Sequence, residues 1–141
     1  MIVLFFIALS GAFYFYSLTL EKPKLQVFPA TVSRSCAPWD GSAFTVTVQY
    51  DVATDIYIDI WKAPDIRFPS AFMLPDDEGQ IGYAYILPDL DPFVQLSGNV
   101  FLQSVSVDKP VEGRFRLKSE WGKHFEGHFV AEWEDKIVAC G

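Results

Sequence analysis

Apolar and polar residues alternate along most of this chain. Phe44, Val46, Val48 and Tyr50 take every second position, with Thr45, Thr47 and Gln49 between them. Ile56, Ile58 and Ile60 alternate with Tyr57, Asp59 and Trp61. Val111, Gly113, Phe115 and Leu117 alternate with Glu112, Arg114, Arg116 and Lys118. Phe125, Gly127, Phe129, Ala131 and Trp133 alternate with Glu126, His128, Val130, Glu132 and Glu134. Successive side chains of a strand point to opposite faces, so a period of two predicts antiparallel strands with one core face and one wet face. Shorter strands are expected at 81–87, 100–107 and 136–140. Trp121-Gly122-Lys123-His124 reads as a tight hairpin turn, and Asp108-Lys109-Pro110 as a second break.

No window after residue 20 carries a helical apolar stripe. Short strands separated by turn signals predict an all-β fold, an antiparallel β-sandwich of immunoglobulin-like size with about seven strands. It occupies residues 36–141. Residues 21–35 read as an extended tether, interrupted by Pro23 and Pro29, in which Leu25, Val27 and Thr31 suit an irregular edge strand. Segment 63–79 is the least regular. Pro64, Pro69 and Pro75 forbid a central strand there, and Ile66, Phe68, Phe72, Met73 and Leu74 are expected to fold back over one end of the sandwich.

The first twenty residues are different in kind. Met1 to Leu20 contain no charged residue, histidine, amide side chain or proline. Twenty residues of helix measure about 30 Å, the thickness of a bilayer's hydrocarbon core. Tyr14 and Tyr16 are placed for the aromatic belt at the membrane interface, Lys22 and Lys24 follow, and Pro23 ends the helix. Ser10-Gly11-Ala12 could serve as a signal-peptide cleavage site, but no positive n-region precedes it. Residues 1–20 are therefore expected to be a retained single-pass signal-anchor helix. Ala8, Ser10, Gly11 and Ala12 offer a small-residue surface for contact with another membrane helix.

Two observations oppose each other on orientation. Lys22, Lys24 and Arg34 after the span favour a cytoplasmic domain by the positive-inside rule. Cys36 and Cys140 instead stand near the two ends of the folded region. A bridge between them would close a long loop, worth roughly 4–5 kcal/mol in the chain-entropy treatment, and would persist only in an oxidising compartment. The expected disulfide places the C-terminal domain outside, periplasmic or cell-surface.

Charge and chemistry narrow the function. A net charge of −7 over 141 residues excludes a nucleic-acid binder, which needs a basic surface to displace counterions. His124, Glu126 and His128 share one face of a strand and form a weak candidate metal set, although a wet strand face carries mixed polar residues by default. Asp76-Asp77-Glu78 and Asp89-Leu90-Asp91 cluster oxygens without the spacing of a calcium loop and read as solvated turns. The cation row Arg114, Arg116 and Lys118 could face Glu126, Glu132 and Glu134 across a hairpin, setting register. No nucleophile elbow, phosphate loop, dinucleotide fingerprint or haem motif is present, so no catalytic residue and no cofactor is expected.

These features point to a non-enzymatic accessory subunit of a larger membrane complex, of photosynthetic or respiratory electron-transfer type. It would act through its membrane helix and its outer domain, with other integral membrane subunits and membrane lipid as partners. With the expected span starting at Met1, no cytoplasmic tail to signal with is expected. Alternatives are a surface filament or adhesion subunit with a bundled N-terminal helix, and a membrane-tethered sandwich that binds a ligand or lipid.

Overall fold

The computed structural model describes residues 25–64, 70–88, 92–107 and 109–141. Eight strands run β1 (Val27–Cys36), β2 (Ser42–Asp51), β3 (Thr54–Ile60), β4 (Ser70–Leu74), β5 (Gly82–Ile86), β6 (Val94–Ser106), β7 (Lys109–Ser119) and β8 (His124–Trp133). The fold is all-β, as the period of two predicts. The expected two-sheet sandwich is replaced by a single sheet that closes on itself. Its strand order is β4-β6-β5-β3-β2-β1-β8-β7, and β7 pairs back onto β6. Seven strands thus make a closed barrel and β4 is an extra strand against β6.

An odd ring explains its one unusual junction. Strand direction flips at each antiparallel pairing, so seven strands cannot close with antiparallel neighbours throughout. The β1–β8 pair is parallel, from Val27↔His128 to Val32↔Trp133, and supplies the missing match. The strand predicted as a tether edge is therefore interior to the sheet, with β2 on its other side from Ala30↔Val48 to Cys36↔Ser42. Pro29 is tolerated because it precedes the first β1–β2 pair, while the carbonyls of Gln26 and Val32 accept the bonds from His128 N and Glu134 N.

The inward parity is the apolar parity. Phe44, Val46, Val48, Ile56, Ile58, Ile60, Leu96 and Leu102 line one side, and Leu117, Phe125 and Phe129 the other, all shielded from solvent. A barrel of this size has a lumen just wide enough for side chains to fill. Glycines make room for the largest of them: a Cβ at Gly113 would run into the Phe129 ring, and one at Gly127 into Phe28. Small facing large is how these walls approach without voids.

Two further expectations change. Segment 63–79 contains β4, which pairs only with β6 among the described strands; Pro75 follows it at once, and Pro69 precedes it. A one-sided strand avoids the ladder that proline would break. Phe72 and Leu74 are buried there and Met73 is exposed. Residues 136–140 are not a strand. β8 covers β1 only as far as Val32↔Trp133, and beyond it the tail turns on itself, Lys136 N bonding Glu134 O, instead of building a ladder along Ser33 to Cys36. It runs on from Glu134 N→Val32 O and ends in the disulfide Cys36–Cys140, with Cα atoms 5.6 Å apart.

Candidate functional site

The outward parity of β3 and β5 carries aromatic side chains where alternation alone would place polar ones. The β3–β5 register sets Tyr57 opposite Tyr85 and Asp59 opposite Tyr83. Trp61 follows β3 and is pinned by its N–H to the Ile81 carbonyl at 2.8 Å. Trp39 reaches in from the turn after β1, where Ala37 N bonds Gly41 O at 2.7 Å. Their rings form a continuous chain. Centroid separations are 5.6 Å from Trp39 to Trp61, 5.3 Å on to Tyr83, and 5.1 Å on to Tyr85. Tyr85 then stacks on Tyr57 at 5.1 Å and meets Phe93 edge-on at 6.0 Å.

The middle of this ladder is half-buried and its ends stand open: Trp39 is 54% exposed and Phe93 58%. Stacked and edge-on pairs each stabilise by about 0.5–1.5 kcal/mol beyond area burial, so the wall is held in shape before anything touches it. Asp59 sits among the rings. Burial raises its pKa, opposed by hydrogen bonds from the Thr45 and Tyr83 hydroxyls. Burial also pushes the Tyr85 phenol up to about 12, helped by the charges of Asp59, Tyr83 and Tyr57. The Tyr83 phenol is raised by burial as well, so these two are neutral donors at physiological pH. The chemistry on offer is recognition: apolar rings with hydroxyl tips around one carboxyl.

The opposite wall differs. On β6, β7 and β8 the register sets Phe101, Arg114 and His128 side by side, and Asn99, Arg116 and Glu126 beside them. A groove of about 490 Å³ runs here, bordered by Leu25, Asn99, Arg114, Arg116, Glu126 and His128. Arg116 Nη2 and Glu126 Oε1 lie 2.8 Å apart, which lowers the Glu126 pKa and raises that of Arg116. The Arg114 guanidinium lies 4.7 Å over the Phe101 ring and has no carboxylate partner among the described residues.

Of the residues singled out from sequence, Cys36 and Cys140 are joined. His124, Glu126 and His128 share the outer face of β8 as expected, but Glu126 is engaged by Arg116, and no group of three potential metal ligands occurs among the described residues. Of the expected charge rows, Arg116↔Glu126 is the pair formed; Arg114 faces His128, and Lys118 faces His124. Asp76 is a turn cap whose carboxylate accepts from Ile81 N and Gln80 N, bonds that hold its pKa down. Ala8, Ser10, Gly11, Ala12, Tyr14, Tyr16, Lys22 and Lys24 lie outside the described residues, as does the turn at 89–91. Among the described residues no helix is long and apolar enough to cross a membrane.

Sequence reasoning missed the aromatic ladder. Its signal was available: Tyr57, Trp61, Tyr83 and Tyr85 all fall on the outward parity of their strands. No protein family matches the chain, and no curated protein or solved structure is similar to it.

Proposed function

We propose that the protein is a non-enzymatic, single-pass membrane-anchored accessory subunit whose extracytoplasmic barrel docks other membrane subunits through its aromatic wall. One observation carries this reading. The lumen is filled by its own side chains, while six aromatic rings run across the outside of β3 and β5. Tyr and Trp are the residues that dominate the buried centres of protein interfaces, because they bring large rigid area and a polar tip. The uncharged stretch from Met1 to Leu20 supports the anchor, and the Cys36–Cys140 bridge supports an oxidising compartment. A filled lumen argues against a ligand held inside the barrel.

Blue-native electrophoresis after mild detergent extraction tests the reading. The wild-type chain is expected in an assembly far larger than its own 15.9 kDa. Trp61→Ala with Tyr85→Ala should shift it to the free form, with circular dichroism showing the barrel retained. A wild-type chain that migrates only as a free monomer overturns the proposal.

A further inference from the structure

The groove on the β6–β7–β8 wall is a positive island on an acidic protein. The chain carries a net charge of −7, yet after Glu112 the outward row of β7 runs Arg114, Arg116 and Lys118 in succession. Arg116 is matched by Glu126, the one ion pair among the described residues. Arg114 is not matched. Its guanidinium carbon lies 4.7 Å from the Phe101 ring centroid, a cation–π contact that leaves its N–H donors unspent on any carboxylate among the described residues. Asn99 and His128 border the same groove with further polar groups. An arginine fork beside an imidazole, with an amide on the next outward row, suits a phosphate oxygen better than any neutral group.

Chain length says where such a phosphate would come from. Leu25 borders this groove and is the first described residue after the apolar stretch. Five Cα steps separate it from Leu20, and at full extension they reach about 18 Å. If residues 1–20 span the bilayer, the groove opens within that distance of the headgroups. Lys22 and Lys24 lie in the same short connection. Cations this close to an anionic leaflet are drawn to it, an attraction that decays within a Debye length of about 8 Å.

We infer that the Arg114 groove seats the phosphate of an anionic phospholipid, so that the barrel rests on the membrane by this wall and turns its aromatic wall away. The orientation follows from the ring: β3 lies three strands from β7 in one direction and three from β8 in the other, and β5, which adjoins β6, reaches β7 only across it. The inference rests on the membrane anchor proposed above, and the experiment separates the two.

The full-length protein is exchanged into mixed micelles holding equal phosphatidylcholine and phosphatidylglycerol, and native mass spectrometry counts the lipids it retains. Wild type should prefer phosphatidylglycerol, Arg114→Gln should lower that preference by about fivefold, and Glu126→Gln, which frees Arg116, should raise it. Lys62→Gln, beside the aromatic wall, should leave it unchanged. Equal retention of the two lipids by wild type, or equal loss in the Arg114 and Lys62 variants, overturns the inference. Alkaline carbonate extraction of membranes reads the anchor alone. Release into the supernatant would remove the membrane reading while leaving the groove's lipid preference separately measured.

Discussion

Replacing both half-cystines, Cys36→Ala with Cys140→Ala, opens a covalent loop that spans 104 positions. In the chain-entropy treatment a loop of that length restricts the unfolded ensemble by about 4.7 kcal/mol at 25 °C. The folded state offsets part of this. The tail bonds to the barrel through Glu134 N→Val32 O, and among the described residues no backbone–backbone hydrogen bond ties 137–141 to any strand. Those residues regain conformational freedom once the bridge is gone, so the net loss should be about 3–4 kcal/mol. For a domain of this size each kcal/mol moves the midpoint by roughly 4 °C, giving a Tm about 12–16 °C lower. Urea unfolding adds a second signature. The unbridged unfolded chain is more expanded and exposes more surface, so the m-value should rise as the midpoint falls. A midpoint shift below about 4 °C with an unchanged m-value would show that the bridge restrains only the tail.

Three further outcomes follow from individual contacts. Burial raises the folded pKa of Asp59 above 3.8, so the folded protein holds that proton more tightly than the unfolded chain. Its contribution favours folding below that pH and is lost as pH rises through the folded value; Asp59→Asn should therefore stabilise at neutral pH, and a gain just as large below pH 3.8 would contradict the assignment. Gly127→Ala drives a methyl into the Phe28 ring and should cost about 1–3 kcal/mol, with Phe28→Leu in the same chain restoring part of it; an unchanged urea midpoint counts against the close packing. Arg116 and Glu126 are 73% and 45% exposed, so a double-mutant cycle should return only a weak coupling that vanishes in high salt, and a strong salt-independent one would contradict this.

Much of the fold was legible because alternation reports burial one residue at a time. Phe44 to Val48 and Val111 to Leu117 announce which side chains go inward, and β2 and β7 bury them. Alternation does not report neighbours. An inward parity is the same whether the opposing wall belongs to a second sheet or to the far side of a ring, so sandwich and barrel could not be told apart. What decides between them is the pairing of Val27–Val32 with His128–Trp133, about a hundred positions away. The aromatic ladder was lost for a related reason. Tyr57 and Tyr85 look like isolated exceptions to their own strands until β3 and β5 are set side by side. The disulfide could be anticipated because its logic lies in chain ends and loop length rather than in strand order.

That bridge also sets the path of a mechanical load. Tension applied between the N-terminal side and the C-terminus travels along β1 to Cys36, crosses to Cys140, and leaves through Gly141. The 103 residues between the two cysteines lie off this path, a bypassed length that cannot be drawn out while the bridge holds. Between these two ends β1 carries the load as one extended strand, braced along its length by its ladders with β2 and β8. β1 already stands at a strand rise of about 3.3 Å per residue against a limit of about 3.6 Å, so the extension it could release is only about 3 Å. A barrel built this way would give by a short fixed length and then stop.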